Sequence, residues 1–184
     1  MLQPESTGVI FVDIQGKLAE LIEQAEPFIS NTVALFKGAQ DLHMKTLVLE
    51  QMPDKLGHTA SALSDCFSSE QQIIAKHHFN ACHEAEFVTQ LQDPSISDWL
   101  VCGIEAHICV YQTITGLLES DLATPRSIHL VCDAIGSRNL NNKAIAIQKL
   151  NALGVQLSST EMCLYELLKD AQNPAFKRIL SYIK

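Results

Sequence analysis

Short runs of β-branched and aliphatic residues recur along the chain between longer stretches in which apolar side chains return every three or four positions. The runs Gly8–Asp13, Thr46–Glu50, Gln72–Lys76, Trp99–Gly103, Ile128–Asp133 and Val155–Ser158 read as six strands. They show little strict alternation, as expected of parallel strands covered on both faces. The stretches between them carry helical spacing. Leu18–Gly38 places Leu18, Leu21, Ile22, Ala25, Ile29, Val33 and Phe36 on one side, and Asn142–Leu153 repeats the pattern. Strand and helix in alternation predict an α/β fold with an open, doubly wound sheet built from right-handed βαβ units. Ligands of such sheets gather at the carboxyl ends of the strands, so functional residues are sought there. The longest loop is read from Gln51 to about Ser64, and a second turn spans Asp93–Ser97. No internal repeat, low-complexity segment or Pro/Gly-rich linker interrupts the pattern.

Composition narrows the setting. With 184 residues, 47% hydrophobic and 18% charged, the chain can bury one substantial core, and residues 1–184 are read as a single domain. A formal charge of -8 argues against general affinity for nucleic acid phosphates or anionic membranes, both of which call for clustered Lys and Arg. The expected partner is a small-molecule substrate or another subunit. No opening segment resembles a signal peptide, and no apolar run approaches the roughly 20 residues that span a bilayer, so a soluble, cytoplasmic protein is expected. Cys66, Cys82, Cys102, Cys109, Cys132 and Cys163 form no CxxC pair, and several sit in apolar runs where cysteine behaves as a small hydrophobe. A disulfide framework or zinc knuckle is not expected.

Three residues stand where chemistry is sought. Asp13 closes the first strand, Lys76 closes the third, and Cys109 follows the fourth in the first turn of a helix read from about Ala106. That position favours a thiolate, because free backbone N–H groups, the positive end of the helix dipole and a nearby ammonium all lower a thiol's pKa. The same N–H groups can stabilise an oxyanion. Each residue alone also has a bland reading: an aspartate at a strand end caps turns, a lysine there is solvated, and a cysteine in an apolar helix packs the core.

The segments VIFVDIQ, EQMPDKLGHT (50–59), KHHFNAC (76–82), VCGIEAHICVYQT (101–113) and VCDAIGSR (131–138) resemble, in order and spacing, the signature blocks of the isochorismatase-like cysteine hydrolases. The likeness covers most of the chain and is nearest to isochorismatase-domain proteins of unassigned substrate. It implies a Rossmann-like three-layer α/β/α sandwich with a six-stranded, mainly parallel sheet. It also implies a triad in which Asp13 is general base and acid, Lys76 the electrostatic partner and Cys109 the nucleophile. A non-proline cis peptide is implied between Ile104 and Glu105, turning the backbone N–H of Glu105, with that of Cys109, toward the oxyanion. Homo-oligomers are implied as well. Hydrolysis of a small amide, carbamoyl or ester bond through a thioester is the expected reaction.

The loop after the second strand lacks the Asp-x-His pair of the family's metal-dependent nicotinamidases, offering Asp54 and His58 instead, so no metal and no cofactor are expected. His77, His78 and His83 are read as surface or pocket-wall residues. Gln15, Gln51, Phe79 and Asn80 are candidates for the substrate pocket, Asn80 standing where the family usually has serine. The remaining five cysteines are read as packing residues. A non-catalytic binding or assembly protein that keeps the fold is the competing class. A dinucleotide-binding enzyme is disfavoured because VDIQGKLAEL stands where GxGxxG would follow the first strand.

Overall fold

A computed structural model describes residues 1–119 and 127–184. Six strands form one sheet: β1 (Thr7–Val12), β2 (Lys45–Gln51), β3 (Ile73–Lys76), β4 (Asp98–Ile104), β5 (Ser127–Gly136) and β6 (Gln156–Ser158). Their order is β3-β2-β1-β4-β5-β6, and every neighbouring pair is parallel. The helices are α1 (Gly16–Glu20), α2 (Ala25–Asp41), α3 (Pro53–Leu56), α4 (Ser61–Ser64), α5 (Ala85–Leu91), α6 (Tyr111–Glu119), α7 (Leu140–Ala152), α8 (Thr160–Leu168) and α9 (Phe176–Ile183).

The sheet is covered on both faces, which explains its unbroken apolar strands. Val9 and Phe11 of β1 point into a core layer shared with α2, α8 and α9, while Ile10 and Val12 point into a second layer shared with α5, α6 and α7. This is the expected three-layer α/β/α architecture. The edge strand β3 buries only every second residue, and β6 buries none fully.

Strand order reverses between β1 and β4, because β2 and β3 lie to one side and β5 and β6 to the other. Carboxyl ends at such a reversal frame a crevice. Across it the two strands approach closely: Gly103 holds φ 121°, and a Cβ there would come 2.1 Å from the Val12 carbonyl oxygen. Only glycine meets both requirements.

Three local expectations need correction. The predicted helix Leu18–Gly38 is two helices, α1 and α2, separated by a turn in which Gln24 adopts φ 59°. Tertiary bonding sets that break, since the Glu23 N–H donates to the Ser137 carbonyl (3.1 Å), and Leu21, expected on the buried side, is 65% exposed. β5 does not stop at Asp133 but runs to Gly136, because a register shift lets Gly103 and Ile104 continue pairing with Ile135 and Gly136. The loop read from Gln51 begins one residue later and carries the single-turn helices α3 and α4.

Candidate active site

Asp13 is the first residue beyond β1. Its N–H donates to the Leu49 carbonyl (3.0 Å), and its own carbonyl accepts from the Gln15 N–H (2.8 Å), which holds the backbone at φ 51°. Lys76 ends β3, two strands away, and its side chain reaches past the end of β2 to Asp13. Its ammonium Nζ lies 2.8 Å from Asp13 Oδ2, with side-chain exposures of 0% and 1%. Nζ also donates to Gln51 Oε1 (2.7 Å) and the His78 carbonyl (3.1 Å), so three acceptors surround its three protons. Oδ2 meets the Lys76 ammonium, and the Cys109 thiol is within hydrogen-bonding reach of the same carboxylate.

Cys109 lies in Ala106–Val110, a π-helical segment that winds directly into α6. π-Bulges widen a helix and recur at functional positions. Here the segment buries Ala106, Cys109 and Val110 against the sheet end. The resting thiolate expected from the helix terminus and Lys76 is corrected by burial. Removal from water, and then the Asp13 charge, push the Cys109 thiol up to about 12 against the pull of Lys76. Burial likewise raises Asp13 above the ordinary carboxylate range, with Lys76 opposing. The two groups thus perturb one another's ionisation, and Lys76 faces both.

The peptide Ile104–Glu105 is cis. The Glu105 side chain turns inward and is gripped by Arg138, whose Nε and backbone N–H donate to its two oxygens (3.0 and 2.9 Å), with Nη2 2.9 Å from Oε1. Burial works against the Glu105 charge, yet the bonds from Arg138 hold its carboxyl below the usual range. The His107 ring meets Ser137 Oγ at 3.0 Å. Sequence reading gave no role to Arg138 or Ser137, although both stand in the VCDAIGSR block.

The expected pocket residues divide. Gln15 is fully buried and faces no crevice. Its Oε1 accepts from the Gln51 N–H (2.8 Å), and its Nε2 donates to the carbonyls of Gln51 (3.0 Å) and Gly57. Gln51 likewise spends its amide inside the protein, on Lys76 and, through Nε2, on the His77 carbonyl (2.8 Å). Phe79, 53% exposed, and Asn80 do line a cavity of about 410 Å³, together with His77, His78, His83, Gln112 and Thr115. Neither that cavity nor a larger hollow of about 500 Å³ between α1, α2 and residues 60–62 is lined by Asp13, Lys76 or Cys109. Glu84 Oε1 accepts from the His77 and His78 N–H groups and contacts the His78 ring, and the His78 and His83 rings lie 5.4 Å apart. No cluster of three or more His, Cys, Asp or Glu is arranged to hold a metal among the described residues. All six cysteines are free; Cys102 and Cys163 are buried, while Cys66, Cys82 and Cys132 are half-buried.

No helix is long and apolar enough to cross a membrane among the described residues. A profile of the isochorismatase domain matches residues 7–162. The secreted isochorismatase effector Isc1 of Phytophthora sojae is 30% identical, over 100% of this chain and 87% of its own. Among solved structures, the MAR1 ribonuclease of Caenorhabditis elegans superposes with TM-score 0.90 at 28% identity, covering 99% of this chain and 91% of its own. YcaC of Pseudomonas aeruginosa, solved with hexane-2,5-diol and covalent acrylamide, superposes with TM-score 0.88 at 25% identity, covering 98% and 90%. With its six-stranded parallel sheet and a profile match over most of its length, the chain belongs to the isochorismatase family of hydrolases.

Proposed function

We propose that the chain hydrolyses a small amide, carbamoyl or ester substrate through a thioester on Cys109, with Asp13 moving the protons and Lys76 as a fixed counter-charge. The observation that carries this reading is the buried Lys76–Asp13 contact of 2.8 Å beside a thiol whose ionisation both groups influence. A buried ion pair is a poor way to gain stability. A titratable group perturbed by burial and by a specific charge at a strand-end crevice is a functional candidate.

The raised proton affinity of Asp13 makes it a stronger base than a surface carboxylate. The thiol proton passes to Asp13 as sulfur bonds to the substrate carbonyl carbon, and Lys76 balances the negative charge wherever it resides. The bond to the leaving group breaks, and the proton on Asp13 goes to the departing nitrogen or oxygen. Water then attacks the thioester and yields a proton to Asp13. The carbon–sulfur bond breaks, the acid departs and the proton returns to sulfur. The N–H groups of Glu105 and Cys109 are assigned to the oxyanion, each such donor being worth about 10²–10³ in rate.

The chemistry needs no metal or cofactor on this reading: the loop after β2 supplies Asp54 and a His58 already tied to Glu50 (3.0 Å). The covalent acrylamide named for the Pseudomonas relative supports a reactive nucleophile in this fold. The nematode relative's ribonuclease name raises RNA as another substrate, but a charge of -8 works against a polyphosphate. Six free cysteines suit a reducing, intracellular compartment. Leu140, Ile145 and Leu153, exposed along α7 and just beyond its end, suit assembly with further copies.

Small amides, carbamoyl compounds, esters and an RNA oligonucleotide should be offered to the protein and to Cys109→Ala. Turnover of a small acyl compound that falls by about 10³ or more in the variant is expected, as for lost nucleophiles generally. Undiminished turnover by Cys109→Ala ends the reading.

A further inference from the structure

Sheet register places Gln51 directly opposite Lys76 at the carboxyl ends of β2 and β3. Of the three acceptors around the Lys76 ammonium, Asp13 carries charge, while Gln51 Oε1 and the His78 carbonyl do not. Gln51 is itself immobilised. Its Nε2 donates to the His77 carbonyl (2.8 Å), so the carboxamide cannot flip without facing an N–H toward the ammonium. Its peptide is gripped on both sides by the Gln15 carboxamide (2.8 and 3.0 Å). β1 ends at Val12, and Gln15 takes the place of the next strand peptide beside β2. The other acid nearby, Glu50, is turned away onto Thr59 and His58.

We propose that Gln51 is a positioning residue: its carboxamide oxygen aims the Lys76 ammonium at Asp13 and Cys109 while adding no charge. One cation then faces one carboxylate and one thiol. A glutamate of the same shape at position 51 would draw the ammonium away from Asp13 and hold a second anion near the sulfur. The inference rests on the catalytic role proposed for Lys76.

The test needs no substrate. The full-length protein is treated with iodoacetamide at a series of fixed pH values between about pH 7 and about pH 10, all below the Cys109 titration, and modification of Cys109 is timed by peptide mass mapping. Gln51→Glu should slow alkylation roughly tenfold at every pH of the series, as expected of a thiolate fraction lowered by one further anion. Gln51→Met, which leaves one ammonium proton without an acceptor, should slow alkylation by about threefold to tenfold, in line with a lost hydrogen bond. Wild-type profiles in both variants, alongside slowed alkylation in Lys76→Met, would overturn the inference and leave the proposed function standing. Loss of native melting in both Gln51 variants would also overturn it, since the residue would then support the fold alone. Unchanged alkylation in Lys76→Met would instead remove the proposed function.

Discussion

Two lysine–aspartate pairs sit at the ends of the same sheet and behave in opposite ways. Lys45 opens β2 and reaches Asp93 at 3.0 Å, with side-chain exposures of 21% and 35%; Lys76 closes β3 and reaches Asp13 at 2.8 Å, with exposures of 0% and 1%. Bonds from Ser95 and then Lys45 hold Asp93 down to about 2, whereas burial pushes Asp13 up despite the closer ammonium. Distance is nearly equal, so access to water decides the sign. The sheet's amino end carries an ordinary surface pair. Its carboxyl end carries a pair whose charges are held at a cost, and that cost is intelligible where protons must move.

Breaking the inner pair should have the largest effect. Asp13→Asn keeps the shape and leaves the Lys76 cation buried without its counter-charge, which should remove about 3–5 kcal/mol of unfolding free energy along with activity. Denaturant titration and turnover measure the two losses. Combining it with Lys76→Met should restore part of the stability and none of the activity, because no unpaired charge stays buried while Gln51 Oε1 and the His78 carbonyl lose their donor.

Arg138→Ala removes the guanidinium from the buried Glu105 carboxylate and leaves it the backbone N–H of residue 138. A loss of about 1–3 kcal/mol is expected by chemical denaturation, with turnover falling more than substrate affinity.

Alkali should act on the thiols. Burial raises Cys82 and Cys163 to about 11 and Cys109 to about 12. Groups raised on folding contribute stability that is complete below the unfolded thiol value and lost as pH climbs through the folded ones. Melting temperature should therefore fall between about pH 9 and about pH 12, and less steeply in Cys109→Ala.

Breaking the outer pair should matter least. Lys45→Met should cost no more than about 1 kcal/mol, as exposed pairs do. Since the Asp93 pKa is depressed, its contribution is present above the ordinary aspartate value and fades as pH falls toward 2. An acid melting series on wild type and Lys45→Met reads that difference.

The sheet was legible in the sequence because its signal is local: apolar runs such as VIFV and WLVC mark strands buried on both faces, and their ends placed Asp13 and Lys76 to within a residue. What the sequence hid was tertiary. The turn between α1 and α2 contains no Gly or Pro and is fixed by the Glu23–Ser137 hydrogen bond to the residue just beyond β5. Gln15 reads as an ordinary turn residue, since a carboxamide that substitutes for a strand peptide leaves no periodic trace. Helix polarity and a nearby lysine were visible near Cys109, but the burial that outweighs both was not.

On the proposed mechanism Cys109 carries the acyl group. The protein should be mixed with an activated ester such as p-nitrophenyl acetate, quenched in acid at short times and digested for mass mapping. One acetyl group is expected on the Cys109 peptide, removed by hydroxylamine, decaying with time and missing from Cys109→Ala. Steady ester hydrolysis by Cys109→Ala at the wild-type rate, or an acetyl group residing on another residue, would contradict it.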